Sequence, residues 1–333
     1  MAIVTVAVPT LLADARLEAC VESLASQSQG EVEIIVIDNS GQGLARRIPV
    51  VRQSARVLEM RENTGFGAAV NAAFEASSAP YFATLNDDAV AAADWLGRLV
   101  AAMEARPEVG MCASQVRLPG GLLDSAGMLV CFDASSKQRG HLAEPGEFSR
   151  DEEVLFPSAS AALYRRSMLE AIGQFDGDFF LYCEDTDLGL RARWSGWKCL
   201  YVSQAVVEHA YSHSAGKLSL LKAYYAERNR LMVAAKNFPA LLLPGVPLLT
   251  LVRYGWHALY LNRSRTATGA APPALSRTRL AGVVLRAHLD AMLRLPGLWR
   301  KRRQVRRTAS LSQLSYCRLL WGHSISPRQL AAL

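Results

Sequence analysis

Residues 63–89 read NTGFGAAVNAAFEASSAPYFATLNDDA: a glycine-bearing turn, a run of small residues, then a β-rich stretch that ends on two carboxylates. The small residues of GAAVNAAFEASS suit a helix packed close to a sheet, and Tyr81 to Leu85 suit a buried strand. Asp87 and Asp88 follow that strand directly and cannot be left unpaired in apolar surroundings. An acid-rich strand end alone is often a plain turn. With other oxygen donors nearby it suits a hard divalent ion such as Mg2+ or Mn2+.

The same alternation extends to both sides. Upstream, IVTVAV reads as a first strand, followed by a helix with Asp14 at its N-cap and Leu17, Val21 and Leu24 on one face. VEIIVIDNS (32–40) is apolar at its centre, as a parallel strand covered on both faces should be, and RVLEM is a short third strand. Downstream, Asp94 is placed to cap a helix bearing Leu96, Leu99, Val100 and Met103. Strands alternating with helices predict an α/β protein with a doubly wound, mostly parallel sheet. Ligands in such sheets gather beyond the carboxyl ends of the strands. Three polar clusters fall there: Asp38-Asn39-Ser40, Asn63 to Gly67, and Asn86-Asp87-Asp88.

Past about residue 110 the pattern loosens into short strands and loops. SASAALYRRSMLEAIGQFD then reads as a strand leading into a helix begun at Ser167. EDTDLGLRARWSGW reads as a helix with three acids in its first four residues, which the helix dipole favours. KCLYVSQAVVEH reads as a strand ending on His209, and a long amphipathic helix is expected over 217–237.

Half of the 333 residues are hydrophobic and a fifth are charged, the composition of an ordered chain. The net charge of +7 conceals an asymmetry: from Arg228 onward there are eighteen Lys/Arg and one acid, Asp290, leaving the first 227 residues at −10. The six cysteines form no CxxC pair and read as reduced thiols of a cytosolic protein. MAIVTVAVPT lacks a positively charged leader and carries Pro9 inside its apolar run, so it reads as a strand and not as a signal peptide. A nicotinamide-dependent oxidoreductase is disfavoured, because Val70 stands where the third glycine of GxGxxG belongs after Gly65 and Gly67.

Residues 173–214, together with VIDNSG, NTGFGAAVNAAF and LNDDA, resemble the inverting family-2 glycosyltransferases, which have the glycosyltransferase A fold. The likeness is greatest to the rhamnosyltransferase-like branch of cell-surface polysaccharide assembly, and it spans roughly residues 3–237 with four motifs in order. The resemblance implies that Pro9 and Thr10 end the first strand beside the nucleotide, and that Asp38 hydrogen-bonds the base with Asn39 and Ser40 next to it. It places Asn63, Gly65 and Asn71 on the loop and helix flanking the nucleotide. Asn86-Asp87-Asp88 takes the family's DxD position, with Asp88 the metal ligand and His209 its partner on the metal and diphosphate. Asp185 takes the position of the catalytic base, with Glu184 and Asp187 as acceptor or supporting acids; Ser214 and Arg228 match the pattern of phosphate contacts. This chain departs from its relatives in carrying Leu11-Leu12 after the first Pro-Thr and Asn86 at the first DxD position.

The implied reaction is transfer of a sugar, rhamnose among the candidates, from a dTDP-, UDP- or GDP-sugar to a hydroxyl of a glycan or polyprenyl-linked glycan. The implied cofactor is Mg2+ or Mn2+. A catalytically silent sugar-nucleotide-binding scaffold of the same fold is the alternative. The division expected is a catalytic domain over 1–237 and a basic, helical region over 238–333. In that region Phe238 to Val252 carries no charge but holds Pro244 and Pro247, too short a run to span a bilayer. A linker is expected over 263–279, then an amphipathic helix over 280–295 and the polybasic RKRRQVRR at 300–307. No stacking-aromatic module accompanies these arginines, so the expected partner is an anionic membrane surface and not nucleic acid. The localisation expected is cytoplasmic, peripheral at the inner face of the cell membrane.

Overall fold

The structure, a computed structural model, describes residues 2–28, 30–210, 220–268 and 277–332, apart from the side chains of 261–268 and 277. The chain packs as two compact units, one of residues 1–128 with 138–213, the other of 129–137 with 214–333. This division by packing puts the helix expected over 217–237 in the second unit, whereas the boundary expected from composition lies after it. Ser214 falls outside the described residues.

The first unit begins with β1 (Val4–Thr10), α1 (Ala15–Ala25), β2 (Val32–Asp38), α2 (Pro49–Ser54), β3 (Arg56–Glu59), α3 (Phe66–Glu75) and β4 (Tyr81–Leu85). It continues through β5 (Ala89–Ala91), α4 (Trp95–Glu104), β6 (Val109–Arg117) and β7 (Leu123–Ser125). The hairpin of β8 (Met128–Val130) and β9 (Ser136–Gln138) carries the chain into the second unit and back. Then come β10 (Glu152–Val154), β11 (Ala161–Arg165), α5 (Arg166–Ile172), α6 (Glu184–Trp194) and β12 (Lys198–His209).

The main sheet runs β10-β12-β6-β11-β4-β1-β2-β3, with β5 paired to β12 and β7 to β6. Strands β4, β1, β2 and β3 form a parallel block. Beyond it β11 runs antiparallel to both β4 and β6, so the sheet is mixed there and more parallel at its N-terminal end. The parallel block is apolar on both faces because both are covered. Val4, Val6 and Val8 pack with Leu17, Val21 and Leu24 of α1 and with Trp95, Leu96, Leu99 and Met103 of α4. On the other side α3 lies against β1 and β2. Gly67 of α3 faces the segment after α5: a Cβ there would lie 3.0 Å from the Cβ of Phe175.

Asp14 caps α1 as expected, accepting from the Arg16 backbone N–H. Asp94 occupies the N-cap position of α4 but turns its carboxylate to Arg98, 2.6 Å away, instead of to the backbone. The six cysteines are free thiols, four of them buried and Cys183 and Cys317 half-buried.

The second unit is helical: α7 (Leu220–Asn237), a 3-10 turn (Ala240–Gly245), α8 (Val246–Thr268), α9 (Arg277–Leu293), α10 (Leu295–Arg307), α11 (Gln313–Gly322) and α12 (Pro327–Ala332). The linker expected over 263–279 is helical at both described ends; residues 269–276 lie outside the described residues. A buried ionic cluster lies inside this unit. Arg253 donates to Asp133 and Glu227, both at 2.6 Å, and Arg230 donates to Glu227 at 2.9 Å. The Tyr254 hydroxyl closes the set on Glu227 at 2.8 Å. Among the described residues no helix is long and apolar enough to cross a membrane.

Candidate functional site

The site lies in the first unit, at the carboxyl end of β4. Strand β5 starts immediately after Asp88 and pairs antiparallel with the last residues of β12, with His209 opposite Ala89. The backbone N–H of Ala210 then donates to the Asp88 carbonyl at 3.0 Å. This register brings together side chains 121 positions apart: His209 Nε2 lies 3.1 Å from Asp88 Oδ1 and 3.1 Å from Asn86 Nδ2. Asp87 points elsewhere and accepts from the Thr10 hydroxyl at the end of β1.

The other nitrogen of His209 meets a residue that no sequence motif marks. Asp124, on the three-residue strand β7, places Oδ2 3.3 Å from His209 Nδ1, and its Oδ1 lies 3.4 Å from Nδ1 of His141. Asp124 is buried. His209 thus sits between two carboxylates. Burial works to lower its pKa, but hydrogen bonds to Asp124 and Asp88 outweigh that and raise it to about 9. Burial would raise Asp88 and Asp124, yet the imidazoles beside them hold both below the ordinary carboxylate value. Asp87 has no imidazole, and burial followed by the charge of Asp88 raises it to about 6 against the Thr10 hydrogen bond.

The polar cluster after β2 is built on itself. Asp38 accepts from the backbone N–H groups of Ser40 and Ala45, at 3.0 and 2.7 Å, and holds the turn that follows the strand. Asn39 accepts from Thr64 N at 3.0 Å and donates to Asn63 and to the Gly65 carbonyl, both at 3.2 Å. Asn63 in turn accepts from Gly65 N at 2.9 Å. Asn71, which the resemblance sets beside the nucleotide, engages its whole amide with the backbone of Phe175, donating at 2.8 Å and accepting at 3.1 Å. In this structure it holds the loop that leads to α6. Pro9 is half-buried beside Thr10, whose carbonyl accepts from Asn39 N at 2.8 Å.

That loop aims the acids of α6. Phe180, Tyr182 and Cys183 all have left-handed backbone conformations, with Cys183 at the N-cap. Asp185 accepts from Thr186 N at 2.6 Å and from Ala159 N at 3.4 Å. The neighbouring Ser160 carbonyl accepts from Asn86 N at 2.9 Å, so one short turn links Asp185 to the end of β4. Burial raises the pKa of Asp185 despite those backbone donors. Glu184 is raised too, by burial first and then by the charge of Asp185, and its Oε2 is buried without a hydrogen-bond partner among the described residues. Asp187 is fully buried and pairs with Arg191 Nε at 2.9 Å, while the Arg191 guanidinium donates to the carbonyls of Ile172, Gly173 and Gln174. It therefore braces the fold behind the site. Arg228 belongs to the second unit, buried on α7 with its guanidinium over the ring of Tyr225.

A profile of glycosyl transferase family 2 matches residues 5–173, just over half of the chain. The chain belongs to glycosyl transferase family 2. Among curated relatives, the N-acetylglucosaminyl-diphospho-decaprenol L-rhamnosyltransferase of Mycobacterium tuberculosis is 28% identical to this family-2 chain over 234 residues, 60% of this chain and 74% of the relative. The uncharacterized protein y4gI of Sinorhizobium fredii is 29% identical over 222 residues, but the family-2 chain spans only 23% of its length. In architecture it resembles the mannosyltransferase PcManGT from Pyrobaculum calidifontis, solved in complex with GDP-Man and Mn2+. The TM-score is 0.55 at 17% identity, over 94% of this chain and 87% of that one. The fold is therefore the glycosyltransferase A fold with a helical C-terminal region.

Two protein side chains of this family-2 chain, Asp88 and His209, present an oxygen and a nitrogen to one point, a donor set that suits a divalent cation of the Mn2+ or Mg2+ kind. Among the described residues no group of three or more His, Cys, Asp or Glu side chains could hold a metal. Cations of this kind take one or two protein ligands and complete their shell with water and substrate phosphate.

Proposed function

We propose that this chain is an inverting glycosyltransferase. It moves a sugar from a dTDP-, UDP- or GDP-linked donor to a hydroxyl of a glycan or polyprenyl-linked glycan during cell-surface polysaccharide assembly. The observation that carries this reading is the meeting of Asp88 and His209 at the end of β4, one short turn from the half-buried carboxylate of Asp185. The rhamnosyltransferase relative supports rhamnose as a candidate sugar and a diphospho-polyprenol glycan as a candidate acceptor. The GDP-Man and Mn2+ of the structural neighbour support a nucleotide-sugar donor and a divalent cation.

In this reading Asp88 and His209 hold Mg2+ or Mn2+, which when bound supplies positive charge to the departing diphosphate. Asp124 keeps the His209 ring turned so that Nε2 faces Asp88. The turns held by Asp38, Asn39 and Asn63 shape the nucleotide side of the site, with Pro9, Thr10, Gly65, Asn71, Asn86 and Asp87 around it. Asp185 takes the proton of the acceptor hydroxyl as that oxygen attacks the anomeric carbon from the face opposite the diphosphate. Burial raises its pKa, which favours its taking up a proton. A single base with in-line displacement inverts the anomeric centre. Glu184 and Asp187 support that base, and Arg228 is a candidate contact for the acceptor. Residues 1–237 carry the reaction, and 238–333 hold the enzyme at the inner face of the cell membrane, where a polyprenyl-linked acceptor is presented.

The test is incubation of the purified chain with dTDP-, UDP- and GDP-sugars, Mn2+ and a polyprenyl-diphosphate glycan. Asp185→Asn is expected to lose about 10²–10⁴-fold in transfer while donor binding by calorimetry persists. Undiminished transfer by Asp185→Asn overturns the assigned base. Donor binding without turnover by the wild type favours the silent scaffold.

A further inference from the structure

The second unit is inverted in polarity along residues 246–260 of α8. Every exposed residue from Ala240 to Tyr260 is non-polar, and the stripe Leu248, Leu251, Val252 and Leu259 recurs at helical spacing. Leu248, Leu251 and Leu259 are 65%, 66% and 55% exposed. Of the polar residues in the same stretch, His257 is half-buried and two turn inward. Thr250 and Arg253 are buried, Thr250 accepting from Arg230 at 3.1 Å and Arg253 fixed on Asp133 and Glu227. Helix α9 buries Ala287 and Ala291 and exposes Leu285, Leu289 and Met292, with Arg279 and Arg286 exposed beside them. A helix that faces water does the reverse.

We infer that these outward faces of α8 and α9 sink into one leaflet of an anionic lipid membrane, with apolar insertion and not the arginines alone holding the protein there. This rests on the membrane-surface reading and names the surface responsible. Charge complementarity selects the occupant. From Arg228 to the C-terminus the only acid is Asp290, and it is engaged by Tyr224 and lies 3.9 Å from Arg286. Exposed Arg279, Arg286, Arg294, Arg300, Arg303 and Arg307 occupy α9, the helix after it and the residue between them. A second copy of the chain would bring like charges together at such a face, whereas an anionic headgroup layer accepts them. The inward side of α8 is committed to the buried ionic cluster, and no described helix is fit to span a bilayer. One leaflet is therefore the depth available.

The experiment compares the full-length wild type with Leu248→Asp/Leu251→Asp/Leu259→Asp and with Arg303→Gln/Arg307→Gln in flotation with phosphatidylcholine vesicles, with and without phosphatidylglycerol. Light scattering records the oligomeric state, and circular dichroism confirms the fold of each variant. The wild type is expected to float with anionic vesicles and to keep part of its binding in high salt, where headgroup electrostatics are screened. The triple variant is expected to lose at least tenfold in binding at every salt. The double arginine variant is expected to lose binding in low salt and to keep the salt-resistant part. If the triple variant floats as well as the wild type, the insertion face is wrong while membrane attachment stands. If the wild type floats with neither vesicle, both readings fail. A wild-type dimer that the triple variant abolishes, without vesicle binding, reassigns the face to self-association.

Discussion

A carboxylate on one nitrogen of an imidazole decides what the other nitrogen can do. Asp124 lies 3.3 Å from His209 Nδ1, which leaves Nε2 directed at Asp88 and fixes the ring in the orientation a metal ligand needs. Asp124→Asn keeps the shape but weakens that partner, and its expected effect is a loss of about 10–100-fold in Mn2+ affinity, read by electron paramagnetic resonance of free Mn2+. Unchanged affinity would show that the Asp124 contact is only packing. Glu184 makes a second prediction, in pH. Its folded pKa stands above the ordinary 4.5, at about 8, because burial and then Asp185 disfavour its charge. The folded state therefore holds the proton more tightly than the unfolded chain. The stability this contributes is complete below pH 4.5 and is lost as pH rises through the folded value. Glu184→Gln should melt about 2–4 °C higher than wild type at pH 8.5, for about 1 kcal/mol, and differ little at pH 4. A shift independent of pH would remove titration as its cause. Asp88, Asp185 and His209 stand out in the sequence because each ends or opens an element within a recognisable motif. Asp124 does not, since a lone acid in GGLLDSAG, 85 positions before its partner, has no local pattern to mark it.

At the scale of elements, the site depends on two loops that touch. Gly65 has a φ of +83°, and a Cβ added there would lie 2.3 Å from the Phe180 carbonyl oxygen, which also accepts from Phe66 N at 2.8 Å. Phe180 itself is left-handed, as are Tyr182 and Cys183, so the strained approach to α6 is held partly by this contact. Gly65→Ala is expected to cost about 1–3 kcal/mol, lowering the melting temperature by roughly 5 °C, and to weaken nucleotide binding in the same calorimetric titration. An alanine variant with wild-type melting would show that the two loops separate freely. Strands β1 to β4 and helices α1, α3 and α4 are legible in sequence because parallel strands covered on both faces become apolar runs, and the helices between them keep a regular face, whereas the six-residue α2 is not. Strands β5, β7, β8, β9 and β10 have three residues each, too few for a period to register. Yet β5 and β7 are the ones that set His209 against Asp88 and Asp124.

Across the whole molecule, composition and packing divide the chain differently, and the difference has a physical cause. Composition changes at Phe238, where charges vanish and then return as arginines. Packing instead joins α7 to the later helices: α9 and α10 lie against α7, and the buried Asp133, from the segment 129–137, faces Arg230 of α7 and Arg253 of α8. Two acids, Asp133 and Glu227, thus share two guanidiniums in an interior that tolerates charge only when balanced. Burial lowers the Arg253 pKa, but Glu227 and Asp133 raise it further than burial lowers it, so Arg253 stays cationic between them. Arg253→Gln leaves one acid uncompensated and is expected to cost about 3–5 kcal/mol, seen as faster hydrogen exchange in α7 and α8. Ending the chain after Asn237 goes further, because it removes Arg253 together with α9 and α10, which lie against α7. The truncated protein is therefore expected in the insoluble fraction, even though the family profile ends at residue 173. A soluble, monodisperse product of residues 1–237 with donor binding intact would show instead that the catalytic part folds alone and that the ionic cluster serves only the helices after it.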